Sequence, residues 1–226
     1  MIIIGIDFSI QFPSICISKD FKEFKWVSAI NTNIPKIHKK FLDDLSLEYK
    51  NFKFIYLEPR KKDKDTYSII ERSKLVNYST LIDSLILAIN EEIKNDSHII
   101  ISIEGVSYGA QGNALLDINQ ATGMLRKSIL DNVLNGHSEK LFIFSPSELK
   151  NAIGAKGNAG KFDIFTSFLN NITPGTNSQL YKAINKYSDT IIKTNGKDIK
   201  PPFTDMIDSY LAVLKIYESI RKESNN

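Results

Sequence analysis

Within the first 28 residues the side chains follow the period of a β-strand three times, over 2–9, 13–19 and about 23–28, with turn-like pieces (Gln11-Phe-Pro and Lys19-Asp) between them. Strands that follow one another this closely pair as an antiparallel meander, because a parallel partner needs a crossover of a dozen residues or more. The pattern then changes. A long helical period over about 66–95 places Tyr78, Leu81, Ile82, Leu85, Ile86, Ile89 and Ile93 on one face. From there strand and helix alternate: a strand at 98–104, a helix at 112–134, a strand at 141–145, and a short helix over 147–153 opened by Pro146. Helical stretches at 161–170 and about 178–187 precede a final helix over about 204–222. A meander followed by alternation specifies an α/β fold, a mixed β-sheet with its first three strands antiparallel and the later ones parallel, flanked by α-helices. Residues 30–64, with an amphipathic period near 36–49 and a strand at 52–58, fit neither half and read as an insertion into one domain spanning 1–226.

A chain of 226 residues, 42% of them hydrophobic, is long enough for one substantial core. Cys16 is the sole cysteine, which excludes an internal disulfide and any zinc site built on paired cysteines, and fits a reducing compartment. No apolar run reaches the roughly 20 residues needed to cross a bilayer. The opening Met1-Ile-Ile-Ile-Gly-Ile is too short and lacks the basic flank of a signal peptide. A soluble, cytoplasmic protein with no membrane partner is expected. The net charge of +3 and pI near 8.7 fall below the value of about 9 that by itself marks a nucleic-acid domain. Placement says more: Lys61, Lys62 and Lys64 crowd one loop, where solvation accounts for them, and Lys150, Lys156 and Lys161 punctuate a glycine-rich stretch.

Two apolar strands end in a carboxylate. Asp7 lies in Gly5-Ile6-Asp7-Phe8-Ser9, among residues that belong in a core, and Glu104 ends Ile99-Ile-Ile-Ser-Ile-Glu. Carboxylates are almost never fully buried unless paired or metal-bound. One acid closing an apolar strand is ordinarily the strand reaching solvent; two, each followed by a loop, point to a shared site. In the last helix Asp205 and Asp208 stand at i and i+3, on one face. An acid in a first turn gains about 0.3–1 kcal/mol from the helix dipole, and Thr204 has the character of an N-cap, which would account for Asp205. Asp208 lies beyond the cap positions, among Met206, Ile207, Leu211 and Ala212, so the face it shares with Asp205 is expected to turn inwards. Four carboxylates without histidine or cysteine company select Mg²⁺ or Mn²⁺. Two such ions per site suit in-line hydrolysis of a phosphodiester.

The set resembles the RuvC-type Holliday junction resolvases of the RNase H-like nuclease superfamily. Asp7 on the first strand, Glu104 on a later one, and Asp205-x-x-Asp208-x-x-x-Ala212 on the last helix carry that likeness. Two further stretches support it independently of the acids. Leu116-Asp-Ile-Asn-Gln120-Ala121-Thr-Gly123-Met-Leu is similar to the family's helix after its second acid, with a Gln-Ala-x-Gly signature. The stretch from Pro146 through Lys150, Gly154 and Gly157 to Lys161 is similar to its Pro…Val-Lys…Gly-x-Gly…Lys block. The resemblance covers 1–19 and 99 to the end and leaves 30–64 unmatched. Phage-encoded members look most alike, because Gly-Ile-Asp-Phe-Ser departs from the bacterial Asp-Pro-Gly opening.

The resemblance implies an RNase H-like fold and a Mg²⁺-dependent endonuclease that resolves four-way junctions. By the same resemblance Lys150 and Lys161 match basic residues near the scissile phosphate, with Lys156 on the same loop as a DNA contact or an ordinary surface lysine. Tyr108, offset by one residue from a family aromatic, is expected to stack on bases at the crossover. The helix at 112–134 is expected to form a homodimer interface through Leu115, Ile118, Ala121 and Leu125, with Gly123 leaving room for a close neighbour. A Walker A reading of Gly154–Lys161 fails, since the spacing is one residue too long and Phe162 replaces the Ser or Thr. The alternatives are a nuclease for other branched or flapped DNA and a non-catalytic DNA-binding module. Four acids drawn together without a cation would repel one another, which argues against the module.

Overall fold

The structure, a computed structural model, describes residues 1–58, 66–94, 98–105, 112–171, 178–193, 195–196 and 198–223. Strands β1 (Ile2–Asp7), β2 (Ser14–Lys19) and β3 (Glu23–Ile30) form the expected antiparallel meander. The stretch read as an insertion folds as α1 (Lys36–Glu48) and β4 (Phe52–Tyr56), and it does not stand apart. β4 pairs parallel with β3 and becomes the outer strand of the main sheet. Helix α2 (Tyr67–Ile93) then leads to β5 (Ile99–Glu104), which pairs parallel with β1 on the other side of the meander. Helix α3 (Asn113–Asn132) and β6 (Leu141–Phe144) follow, β6 lying parallel beside β5. The sheet order is β4-β3-β2-β1-β5-β6.

Four helical segments lead to the C-terminal helix: α4 (Pro146–Asn151), α5 (Lys161–Asn170), α6 (Gln179–Lys186) and the short α7 (Ser188–Ile191). α4 starts on a capping box, in which Ser145 Oγ accepts from the Glu148 amide and the Glu148 carboxylate accepts from the Ser145 amide. α8 runs from Phe203 to Glu223. Thr204 is therefore inside its first turn and not its N-cap. Its hydroxyl donates to Asp205 Oδ2 at 3.2 Å, while the Pro202 carbonyl accepts from the Met206 amide.

The sheet separates two cores. Ile2, Ile4 and Ile6 of β1 and Ile99, Ile101 and Ile103 of β5 point to one side. There they meet the α2 stripe and Ala121, Leu125 and Ile129 of α3. On the other side α8 lies across β1, β2 and β5, joined by residues of α1, α4, α5 and α6. Strand alternation puts every second residue of β1 and β5 under α8, and that parity positions the site. Among the described residues no helix is long and apolar enough to cross a membrane.

Candidate active site

Gly5 lets the last helix reach the first strand. A Cβ there would stand 2.1 Å from the Ser209 carbonyl oxygen and 2.8 Å from the Val213 nitrogen, so α8 rests on bare backbone. Ser102, paired with Gly5 in the parallel register, serves the same approach from β5: its small side chain donates to the Ala212 carbonyl at 2.7 Å. Trp26 of β3 makes a third attachment, its indole N–H donating to the Met206 carbonyl at 3.0 Å.

Two residues beyond Gly5 and Ser102, on the same face, stand Asp7 and Glu104; on α8, Asp205 and Asp208 lie either side of Met206. Carboxylate oxygens of Asp7, Glu104 and Asp208 fall within 4.8 Å of one another. These three are half-buried, whereas Asp205 is buried beside them. A cleft of about 370 Å³ leads outward from Asp205 and Lys161 past Ser9, Phe12 and Pro201.

The four acids strain against one another. Burial holds the Asp7 carboxyl well above the ordinary carboxylate range, and the charges of Glu104, Asp205 and Asp208 push the same way, opposed by Lys161. Asp208 is pushed up to about 8, first by burial and then by Glu104 and Asp205. Burial also raises Glu104 and Asp205, with hydrogen bonds and nearby lysines resisting. The donor set is all oxygen, convergent and short of positive charge, and it fits a hard divalent cation such as Mg²⁺ or Mn²⁺. Asp7, Glu104 and Asp208 would be its ligands, with Asp205 next to them.

The lysines divide. Lys161, exposed as the first residue of α5, lies within electrostatic reach of all four acids. The Asp163 carboxylate, which accepts from the Gly160 amide, fixes the turn that presents it. Lys150 is half-buried, and its ammonium donates to the Ala159 carbonyl at 2.9 Å, drawing the 154–160 loop onto α4. Its charge still reaches Glu104 and Asp208. Lys156 is exposed on that loop. Tyr108 and Lys61, Lys62 and Lys64 lie outside the described residues.

Of the positions expected to meet a second copy, Ala121 and Leu125 are fully buried in the chain's own core against the sheet. They are not available to a partner. The apolar period of α3 that marked them is the period of packing on its own sheet and α2. Leu115 and Ile118 are half-buried and keep some surface, and Gly123 faces open space. Gly5, Ser102 and Trp26 are the residues that sequence reasoning passed over. A glycine inside an apolar strand is a sign of close backbone approach, so Gly5 carried a readable signal; Trp26 carried none.

No protein-family model and no curated protein matches the sequence. Solved structures do. The RuvC of Thermus thermophilus, in complex with a Holliday junction substrate, is 10% identical, with 98% of this chain and 96% of that one covered and a TM-score of 0.50. A second Thermus thermophilus RuvC structure is 10% identical, covering 99% and 97%, at a TM-score of 0.45. The yeast mitochondrial Holliday junction resolvase Ydc2 is 16% identical, covering 98% and 83%, at a TM-score of 0.40. The antiparallel-then-parallel sheet between two helical layers, matched along nearly its whole length by the junction-bound RuvC, gives this chain the RNase H-like fold of that protein.

Proposed function

We propose that this chain is a divalent-cation-dependent, structure-selective DNA endonuclease that resolves four-way junctions by paired phosphodiester hydrolysis. The observation that carries the reading is the convergence of Asp7, Glu104 and Asp208, with Asp205 beside them and a cleft lined by Asp205 and Lys161 leading away. The RuvC of matching fold was solved with a Holliday junction substrate, which favours branched DNA over other phosphodiesters. Bound at these carboxylates, two Mg²⁺ or Mn²⁺ ions would supply Lewis acidity and charge neutralisation for in-line displacement at phosphorus.

The chain's own residues do the rest. Gly5, Ser102 and Trp26 hold α8 so that acids from three elements share one centre. Lys161 places an ammonium where charge develops on the phosphate, an interaction worth most in a partly dehydrated cleft. Lys150 shapes the loop that carries Lys156 towards the DNA backbone, and Tyr108 stacks on bases at the branch. The protein acts as a twofold homodimer, since two opposed cuts need two sites and an isologous pair supplies them with matching symmetry. Its interface uses the outer surface of α2 and α3, where Leu116 and Val76 are 67% and 63% exposed, flanked by Leu115 and Ile118.

The test is a synthetic four-way junction incubated with purified protein, with and without Mg²⁺. Paired nicks at symmetry-related strands, only with metal, are expected. Single cuts at the branch would assign a flap nuclease, and binding without cuts a scaffold. Lys161→Ala should lower turnover more than affinity. A loss confined to affinity and removed by lowering salt would make Lys161 a plain backbone contact. Sedimentation with and without junction reads the dimer, and a strict monomer in both sinks it.

A further inference from the structure

The acidic cleft does not end at Pro201. Phe12, Lys193 and Pro201 line both it and a second, more apolar pocket of about 490 Å³ that opens beyond them. That pocket lies between the start of α1, in the stretch that adds β4 to the edge of the sheet, and the segment ahead of α8. Its walls are flat or aliphatic: Phe12, Ile34, His38 and Phe41. His38 Nε2 lies 2.7 Å from the Pro201 carbonyl, which ties α1 to the floor of the track, and its ring stacks on Phe41 with centroids 6.3 Å apart. Ile37 stands at the lip with 80% of its surface exposed.

The rim is cationic. Lys193 and Lys200 flank the pocket, and Lys161 marks the end at the acids. Asp198, the acid on this rim other than Asp205, is engaged by the Asn195 amide at 2.7 Å and lies 3.9 Å from the Lys193 ammonium. The N-terminus of α1 opens on the same pocket with no side-chain cap and no acid in its first turn. That leaves backbone N–H groups and the positive end of a 13-residue helix towards the occupant. Apolar flat walls below a row of positive groups match the chemistry of a single nucleic-acid strand: bases present a face to stack and phosphates a charge to neutralise. An acidic peptide would satisfy the rim but not the flat walls.

We propose that this continuous groove is the track of an unpaired DNA strand leaving the acidic centre. Its phosphates follow Lys161, Lys193, Lys200 and the start of α1, and one unstacked base enters the pocket against Phe12, His38 and Phe41. The proposal deepens the nuclease reading and takes its meaning from it. The substrate it selects is a branch whose nucleotides next to the cleavage point are unpaired or can unpair on binding.

Two surface variants test it, Ile37→Glu and the double variant Lys193→Gln/Lys200→Gln, each checked by circular dichroism for wild-type folding. Binding is measured by anisotropy, with Ca²⁺ in place of Mg²⁺, to a single-stranded oligothymidine, a plain duplex, and a four-way junction with unpaired nucleotides at its centre. Each variant should bind oligothymidine and the opened junction about tenfold more weakly, with a smaller change on duplex. For the double variant the slope of log affinity against log salt should flatten by about 0.7 for each phosphate that is no longer neutralised. A 2-aminopurine in the unpaired segment should be quenched by the wild type and less so by Ile37→Glu. Oligothymidine binding that depends on these residues supports the groove even if junctions are never cut, and then the cleavage reading alone fails. Junctions cut normally, with oligothymidine affinity, salt slope and quenching unchanged in both variants, overturn the groove and leave the nuclease reading standing. Oligothymidine that binds neither wild type nor variants overturns the groove as well.

Discussion

The same strands show two different surfaces to their two helical layers. Towards α2 and α3, β1 presents Ile2, Ile4 and Ile6 and β5 presents Ile99, Ile101 and Ile103. Towards α8 the sheet offers Gly5, Ser14, Cys16, Ser28 and Ser102 instead, followed by Asp7 and Glu104. One surface maximises buried apolar area, each such side chain stabilising by about 1.5–3 kcal/mol. The other keeps Ile3, Phe24 and Trp26 in its core but gives up side-chain volume at these small positions, so that a helix backbone comes close enough to share hydrogen bonds and deliver two aspartates. A centre of crowded carboxylates is costly, and the lesson is that stability and chemistry are divided by strand parity: odd positions of β1 bear the cost that even positions offset.

The sharpest way to break this division is to remove a charge from the small-residue side. Glu104→Gln should abolish cleavage while sparing junction binding, because a ligand's charge matters for metal capture and phosphate contacts come from lysines elsewhere. Full activity in this variant, measured on a radiolabelled junction, would end the assignment of Glu104.

Gly5→Ala comes next. The added methyl meets backbone on α8, which cannot rotate away, so the helix must lift off the strand. Overpacking of this kind costs about 1–3 kcal/mol, and here it should take cleavage with it. Gly123→Ala makes the contrast, since nothing lies near its Cβ and helix propensity favours alanine by about 1 kcal/mol. Chemical denaturation of both variants reads the difference, and equal effects would refute the close approach of α8 to Gly5.

On the apolar side, Leu85→Ala deletes a fully buried side chain and should cost about 2–5 kcal/mol. The folded fraction should nevertheless cut at close to the wild-type rate below its melting temperature. A collapse of specific activity without unfolding would mean that the two faces are coupled more tightly than strand parity implies.

The remaining test is of pH dependence. Burial and neighbouring acids lift Asp208 from an ordinary 3.8 to about 8. A carboxyl raised on folding stabilises below its unfolded value, and that contribution disappears as pH rises through the folded one. In EDTA, Tm should therefore fall between pH 5 and 9, and Mg²⁺ should restore more of it at pH 9 than at pH 5. A Tm that is flat in EDTA across that range would show that the acids are not held against their charge.

Much of this was legible because it is local. Each strand of the meander and the acid ends of β1 and β5 sit within a run of ten residues or fewer, as does the Asp205–Asp208 pair, and the alternation is read from the order of such local periods. The partners of β4 were not legible, since period reveals a strand but not what it pairs with; the segment set aside as an insertion was an outer strand with its crossover helix. Thr204 was displaced from the cap because the helix starts one residue earlier, at Phe203. Ala121 and Leu125 were assigned to a partner because an apolar stripe does not say whose surface it meets. Ser102 and Trp26 act across 110 and 180 residues of chain, distances over which no spacing rule speaks.

Trp26 has one more consequence. It is the sole tryptophan, 1% exposed, and its indole N–H is bonded to the carbonyl lying between Asp205 and Asp208. The chain therefore contains its own optical gauge of the distance between sheet and C-terminal helix. Emission at blue wavelengths reports a seated helix, and a red shift before global melting would signal that the helix had lifted while the rest held. Titrating metal or DNA against that emission would follow the assembly of the centre without any label.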